Sequence, residues 1–142
     1  MASGFGFTEI VEKLLNYGAN IDAKSEDGSE YTPLMIAVLN YYDETVEKLV
    51  KMGASVEATD KFGNSAIMLA AMKGNIFALK LLFRYGADLT DRNDLGYNAQ
   101  FLAKDNLRFE VEKLIDDLMK DQDENQDYEF SYSNDKSLWS KF

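Results

Sequence analysis

The sequence of 142 residues contains no cysteine and no histidine, and each absence excludes a group of functions. Without cysteine there is no disulfide, no thiolate metal ligand and no cysteine nucleophile. Without histidine the chain lacks the commonest general base and the commonest metal ligand. Catalysis by a Ser-His-Asp or a Cys-His arrangement is therefore impossible in this chain.

Proline, long hydrophobic runs and basic residues are also scarce. Proline occurs once, and no run of eighteen apolar residues is present, so a proline-rich scaffold and a membrane span are both excluded. Acidic residues number 25 against 15 basic ones, which gives a net charge of −10. Because phosphate backbones and anionic lipids repel such a chain, we expect neither nucleic acid nor membrane as a partner. The start of the chain lacks the basic region of a signal peptide, and the absence of cysteine fits the cytoplasm or the nucleus.

Glycine recurs with a fixed spacing. A Gly-Ala pair appears three times, at intervals of 35 and 33 residues, and a second glycine series repeats the same intervals: Gly18, Gly53, Gly86 and Gly28, Gly63, Gly96. The longer interval of both series contains Ser29-Glu30. One two-residue insertion there accounts for both, and the sequence is therefore a repeat with a period of 33 residues.

Each repeat unit has the same internal order. A polar segment ending in glycine is followed by an apolar stretch, and then by a second stretch with helical spacing that ends in Gly-Ala. In unit three these parts are residues 60–63, 65–74 and 77–85. In unit two, Thr32 before Pro33 is a typical helix start. Each unit is therefore predicted to form a turn, a helix, a turn and a second helix.

The segment Thr32-Pro33-Leu34-Met35-Ile36-Ala37 resembles the ankyrin signature T-P-L-H-x-A, with methionine in place of histidine. The period, the Gly-Ala pairs and residues 6–15 resemble the same family, and the resemblance covers about residues 2–118. It implies an all-α solenoid of stacked helix-turn-helix units with projecting β-turn fingers. It also implies a non-catalytic protein–protein interaction module.

The signature histidine is replaced in all three visible units, by Met35, Met68 and Phe101. In the family this histidine ties neighbouring loops together by hydrogen bonds. We expect these three side chains to lie in the core, where apolar packing replaces the polar bonds between units.

The period divides the chain into a partial repeat, three repeats and a tail: residues 1–24, 25–58, 59–91, 92–120 and 121–142. In the partial repeat we expect Ala2-Ser3 to end a first helix and 8–17 to form the second. The apolar residues Phe5, Phe7 and Ile10 near this end indicate either a fragment of a longer array or a missing cap. Simple fraying of the terminus is the alternative.

Unit four has the features of an array end. Gln100 stands where unit two has Leu34, Leu107-Arg108 replaces the glycine turn, and the second helix, 109–120, carries one apolar stripe among charges.

The tail changes composition, with six acidic residues, two lysines and five aromatic residues. Residues 121–127 are too polar to pack and are expected to be flexible. Residues 128–132 could pair as a strand or stay extended. The stretch from Tyr128 to Phe142, which includes Trp139, has three open interpretations: a cap over unit four, a peptide bound by a second partner, or an inert linker.

No candidate for chemistry survives inspection. Gly4-Phe5-Gly6 lacks the third glycine of a dinucleotide-binding loop. The carboxylate pairs Glu26-Asp27 and Asp116-Asp117 are predicted on exposed elements, where solvation explains them. Residues 121–127 lack the glycine of a calcium loop, since Gln126 stands at its position. We expect no catalytic residue, no cofactor and no metal, and thus no enzyme.

The resemblance implies that a partner binds the concave side, which the fingers and the first helices form. Carried over by position, it predicts contacts in three clusters: Glu26, Asp27, Tyr31, Leu39 and Asn40; Lys61, Phe62, Asn64, Met72 and Lys73; Asp94, Leu95, Tyr97, Asp105 and Asn106. Four of these are large apolar groups that stacking should leave exposed, unless they pack against neighbouring turns: Tyr31, Phe62, Leu95 and Tyr97. Fingers two and four are acidic and finger three is basic, which favours a protein partner with a basic or mixed-charge surface.

Two roles stay open at this point. The chain could be an interaction module that acts as a scaffold, adaptor or masking inhibitor. Alternatively, it could be a targeting or regulatory segment of a larger multidomain protein or pathogen effector, with the activity elsewhere. A third class, an acidic metal-binding or nucleic-acid-mimicking protein, is supported only by the acidic tail.

Overall fold

The computed structural model describes the backbone of residues 2–132 and the side chains of residues 7–122. This part of the chain contains seven α-helices and neither strand nor sheet: α1 (Ala2–Asn16), α2 (Pro33–Leu39), α3 (Asp43–Lys51), α4 (Ala66–Lys73), α5 (Ile76–Arg84), α6 (Ala99–Asp105) and α7 (Phe109–Tyr132). The predicted order of turn, helix, turn and helix is confirmed for units two to four. Within residues 2–132, none of the helices has the length and apolar character needed to cross a bilayer.

The helices form two layers. The first helices α2, α4 and α6 pack side by side, and the second helices α1, α3 and α5 pack in the other layer. Within each unit the two layers are joined by the pairs α2–α3, α4–α5 and α6–α7. The core lies between the layers and runs along the array, so each unit depends on its neighbours to bury its apolar side chains.

The second helices of units one to three end in the same way. The glycine after each helix has a φ near 94°: Gly18, Gly53 and Gly86. The following alanine N–H donates to a carbonyl oxygen one turn back at 2.9–3.0 Å, on Leu14, Leu49 and Leu82 respectively. This is the helix ending that a left-handed glycine permits, as the sequence predicts.

Two expectations about the ends of the array are wrong. Residues 2–16 form one continuous helix instead of a helix end followed by a second helix, because glycines at positions 4 and 6 weaken a helix without removing its hydrogen bonds. At the other end α7 continues through residues 121–132, so residues 128–132 are not extended. These twelve residues contain no glycine or proline to stop the helix. The remainder of the tail, including Trp139 and Phe142, lies outside the described residues.

Unit four differs from the preceding units in two places. Gln100 occupies the position of the buried Leu34 and Ile67, and its amide donates to the carboxylate of Asp116 on α7. Leu107 adopts a φ of 58° where unit three has Gly74 at 72°. A polar pair therefore stands where the preceding units have an apolar contact.

The helix starts of units three and four allow a matched test. The Asn98 side chain accepts a hydrogen bond from the Phe101 N–H at 2.9 Å, whereas the buried hydroxyl of Ser65, at the equivalent position, has no partner among the described residues. We expect Asn98→Ala to lower the free energy of unfolding by about 1 kcal/mol. Ser65→Ala removes an unsatisfied hydroxyl and should leave that free energy unchanged or higher. Urea unfolding measures both, and an equal loss in the two variants would contradict this account.

Candidate functional site

Three projecting turns, which we call the fingers, precede the first helices and span residues 25–31, 60–64 and 93–97. In each finger the first residue donates its N–H to the carbonyl oxygen of the last, at 2.8, 2.9 and 3.0 Å. Its side chain then accepts the N–H of that last residue at 3.0, 2.9 and 3.0 Å. The acceptors are Ser25, Asp60 and Asn93, so a short polar side chain closes every finger.

Finger two holds the two-residue insertion. Glu30 adopts a φ of 58°, and the Asp27 carboxylate accepts from the Ser29 hydroxyl at 2.5 Å, the Ser29 N–H at 3.0 Å and the Ser25 hydroxyl at 2.9 Å. These hydrogen bonds stabilise the ionised form and lower the pKa of Asp27 to about 2, and the bonds from Ser29 have the largest effect. The tip of finger two therefore carries a fixed negative charge at neutral pH.

Hydrogen bonds join neighbouring fingers. The Lys61 N–H donates to the Ser29 carbonyl at 3.2 Å, and the Asp94 N–H donates to the Phe62 carbonyl at 3.0 Å. The Asn93 amide also donates to the Asn64 side chain at 2.9 Å. Polar bonds between the units are thus present without the signature histidine, and the expectation that apolar packing replaces them is wrong.

The three residues that replace the histidine have different surroundings. Met35 and Met68 are buried, which confirms their predicted place in the core. Phe101 is 41% exposed, and its predicted burial is wrong. The helices that carry Met35 and Met68 pack on the first helix of the next unit, whereas no described unit follows unit four. The Phe101 ring stacks instead on Tyr97, with centroids 4.1 Å apart, so it joins the candidate surface, which its position in the last unit could have indicated.

Two finger tips expose large apolar side chains. Phe62 is 55% exposed and Leu95 is 72% exposed, as the sequence predicts. The Lys61 ammonium lies 4.8 Å from the centre of the Phe62 ring, a cation–π contact that holds the ring at the tip. Tyr31 and Tyr97 are half-buried against the core, which is the alternative arrangement considered for them.

The structure places the remaining predicted contacts in three environments. Leu39 and Met72 are half-buried against the core. Asn64 is buried and bonded to Asp60 and Asn93, so it supports its finger and offers no surface to a partner. The others are exposed: Glu26, Asp27, Asn40, Lys61, Lys73, Asp94, Asp105 and Asn106.

The side chains exposed on this surface are of the kinds that contact another protein. Among the described side chains no acidic residues cluster in threes as a metal ion would require. The fingers present apolar tips, carboxylates, ammonium groups and amides, which are the groups found in protein–protein interfaces.

The architecture defines the chain as an all-α repeat solenoid built from helix pairs and linked fingers. A family model of ankyrin repeats in three copies matches residues 1–94 and 40–126. The chain belongs to the ankyrin-repeat family. Ankyrin repeats are generally protein-interaction modules and are typically non-catalytic. Among curated proteins, none matches this sequence.

Contact between fingers three and four can be tested at Gly63. Its φ is 78°, and a Cβ added there would lie 2.9 Å from the Asp94 nitrogen, whereas Gly96, with a φ of 85°, has open space around it. Alanine at either position carries the left-handed penalty of about 1–2 kcal/mol. Gly63→Ala also forces the fingers apart, and we expect it to lower the free energy of unfolding by about 1–3 kcal/mol more than Gly96→Ala. Equal losses in urea unfolding would show that this contact adds no stability.

The pKa of Asp27 provides a second test. Ser29→Ala removes the strongest hydrogen bond to the carboxylate, so we expect the pKa of Asp27 to rise from about 2 toward its ordinary value of 3.8. Because the pKa is lower in the folded chain, these bonds stabilise the fold above pH 3.8 and lose their effect as the pH falls toward 2. NMR titration of the Asp27 carboxyl measures the shift. The control is Ser55→Ala, because the Ser55 hydroxyl accepts a hydrogen bond from the Glu57 N–H and does not contact Asp27. Equal pKa values of Asp27 in the Ser29→Ala and Ser55→Ala variants would contradict the assignment.

Proposed function

We propose that the chain binds a partner protein through the fingers and first helices of units two to four, the side that is concave in this family. One observation carries the proposal. Phe62 and Leu95 occupy equivalent positions on adjacent fingers, and both expose most of an apolar side chain. Exposed apolar groups on a preformed backbone are typical of residues that dominate binding energy.

The equivalent position on finger two is Asp27. The three tips therefore form a row of one carboxylate and two apolar groups: Asp27, Phe62 and Leu95. Since packed helices lie about 8–10 Å apart, the row is roughly 20 Å long. A partner segment with a basic group beside Asp27 and apolar side chains beside the other two tips would match it.

The surrounding charges support a partner of basic or mixed charge. Glu26 and Asp27 lie on finger two, and Asp94 and Asp105 on unit four, while Lys61 and Lys73 lie between them on unit three. Charges of both signs along the row favour a partner surface with a complementary alternation. A net charge of −10 argues against nucleic acid.

The proposed mechanism is occupancy of the partner's surface. Hydrogen bonds within and between the fingers hold their backbones in place before binding, so less conformational entropy is lost when the partner docks. Bound in this way, the chain would act as a scaffold, an adaptor or a masking inhibitor. None of these roles requires chemistry at the site.

A quantitative pull-down with mass spectrometry tests the proposal. The intact chain is compared with Phe62→Ala/Leu95→Ala and with Phe77→Ala/Tyr85→Ala, a control pair of aromatic residues at α5 that are 42% and 44% exposed. Because truncating a dominant contact costs about 2 kcal/mol or more, we expect the finger variant to bind its partner at least about thirtyfold more weakly. The control pair should bind like the intact chain.

Two outcomes would contradict this assignment. One is equal binding by the finger variant and the intact chain. The other is loss of binding in the α5 pair alone. A chain that ends at Tyr132 is the third variant. Loss of binding in that variant alone would show that residues 133–142 contain the binding site. Circular dichroism establishes that each variant is folded.

A further inference from the structure

The outer side of α5 carries a line of apolar residues in the middle of the array. Phe77, Leu81 and Tyr85 follow one another every four residues, and so they lie along one side of the helix. Phe77 is 42% exposed, Tyr85 is 44% exposed, and Leu81 between them is half-buried. The equivalent residues of unit two include two charged ones: Glu44, Lys48 and Met52. Because described units flank unit three on both sides, the end of the array does not explain this exposure.

Two cations border the apolar line. Lys80 and Arg84 are exposed, and neither forms an ion pair or a side-chain hydrogen bond with any described residue. The helix contains no acidic residue, although the whole chain has a net charge of −10. The outer side of α5 is therefore a basic and apolar surface on an acidic protein. We call it the α5 strip: Phe77, Lys80, Leu81, Arg84 and Tyr85.

The preceding second helix neutralises its own charges at the same positions. In α3, Lys51 pairs with Glu47 one turn earlier at 2.8 Å. In α5, Arg84 stands at the position of Lys51, but Lys80 stands at the position of Glu47. Like charges four residues apart destabilise a helix. An acidic group bound beside Lys80 and Arg84 would remove that repulsion.

The contact between neighbouring units also leaves Lys80 without a counter-charge. Glu12 on α1 pairs with Lys48 on α3 at 2.9 Å, which joins units one and two. Between units three and four the equivalent residues are Lys80 and Leu114, which cannot form an ion pair. The Lys80 ammonium is therefore available to a group from outside the described chain.

We propose that the α5 strip binds a helical segment of a second protein that carries acidic residues beside an apolar stripe. Carboxylates one turn apart on that helix match Lys80 and Arg84, which are also one turn apart. Apolar side chains next to the carboxylates cover Phe77 and Tyr85. At 1.5 Å per residue the strip is about 12 Å long, so the segment needs about ten residues. An interface this small gives a Kd of roughly micromolar order.

The charge of the whole chain favours a short helix over a membrane. An anionic membrane also attracts cations, but it presents an extended surface that repels a chain with a net charge of −10. A helix of a few turns meets only the α5 strip and its two cations.

The α5 strip is separate from the fingers. The fingers precede the first helices, whereas α5 belongs to the layer of second helices. The two surfaces can be occupied at the same time, and the chain would then link two partners. This inference does not depend on what binds the fingers.

Selection from a library of short helical peptides tests the proposal. Each peptide has leucine along one stripe, and two positions one turn apart beside the stripe vary among glutamate, lysine and serine. The bait is the full chain carrying Phe62→Ala/Leu95→Ala, so that the fingers do not capture peptides. We expect enrichment of peptides with glutamate at both variable positions.

Titration calorimetry with an enriched peptide then locates the binding surface. Lys80→Glu/Arg84→Glu should bind it at least about tenfold more weakly than the intact chain. The same peptide with lysine in place of both glutamates should bind this variant better than it binds the intact chain. Lys104→Glu/Lys120→Glu changes the net charge equally at exposed positions outside α5 and should bind like the intact chain.

The apolar part of the strip has its own variant. Phe77→Ala/Tyr85→Ala should lose the peptide and keep any partner of the fingers, whereas Phe62→Ala/Leu95→Ala should do the reverse. Failure at one surface is thus distinguishable from failure at the other. Circular dichroism establishes that each variant is folded.

Three results would overturn the proposal. The first is a selection without enrichment of glutamate. The second is equal binding of the peptide by Lys80→Glu/Arg84→Glu and Lys104→Glu/Lys120→Glu. The third is binding to phosphatidylserine vesicles that only Lys80→Glu/Arg84→Glu abolishes, since the strip would then contact a membrane.

Discussion

The stacking of each unit on the next is the interaction on which the rest of this structure depends. No helix pair here buries its own apolar side chains, because every pair has faces that only a neighbour can cover. Leucines at one equivalent position in successive units show this directly. Leu14 is exposed on α1, while Leu49 and Leu82 are buried in the units that follow. Whether a given leucine belongs to the core is decided by what stands beside its helix.

The fingers depend on the same stacking. Each finger closes on itself through a short polar side chain, but its position relative to the next is set by bonds such as the one from Asp94 to the Phe62 carbonyl. Those bonds form only when the units beneath are in register. The proposed binding surface is therefore assembled from separate units, and a change in the stack would alter it even where no finger residue is touched.

Much of this architecture could be predicted from the sequence because the repeat displays it several times. The period located the fingers, the helix pairs and the glycine endings, since each follows from local residue types. The predictions failed where the surroundings of a residue decide the outcome. Phe101 has the same place within its unit as Met68, and Asn64 the same place as Tyr31, so the place within a unit indicates neither the exposure of Phe101 nor the burial of Asn64.

The ends of the array were harder to predict for a different reason. Residues 2–7 and 121–132 lack the periodic context that identifies helices elsewhere, and their local signals do not indicate a helix. Glycine at positions 4 and 6 disfavours a helix, and the acidic run after Lys120 indicated flexibility. In both places the helix that had already formed continues, because adding one residue to a helix is easier than starting one.

Hydrogen–deuterium exchange along the chain tests the dependence on stacking most directly. If neighbours supply the stability, the amides of α4 and α5, which are covered on both sides, exchange slowest. Those of α1 and of α7 beyond Met119 should exchange fastest. Equal protection in all seven helices of the described chain would contradict the account, since each unit would then be stable by itself.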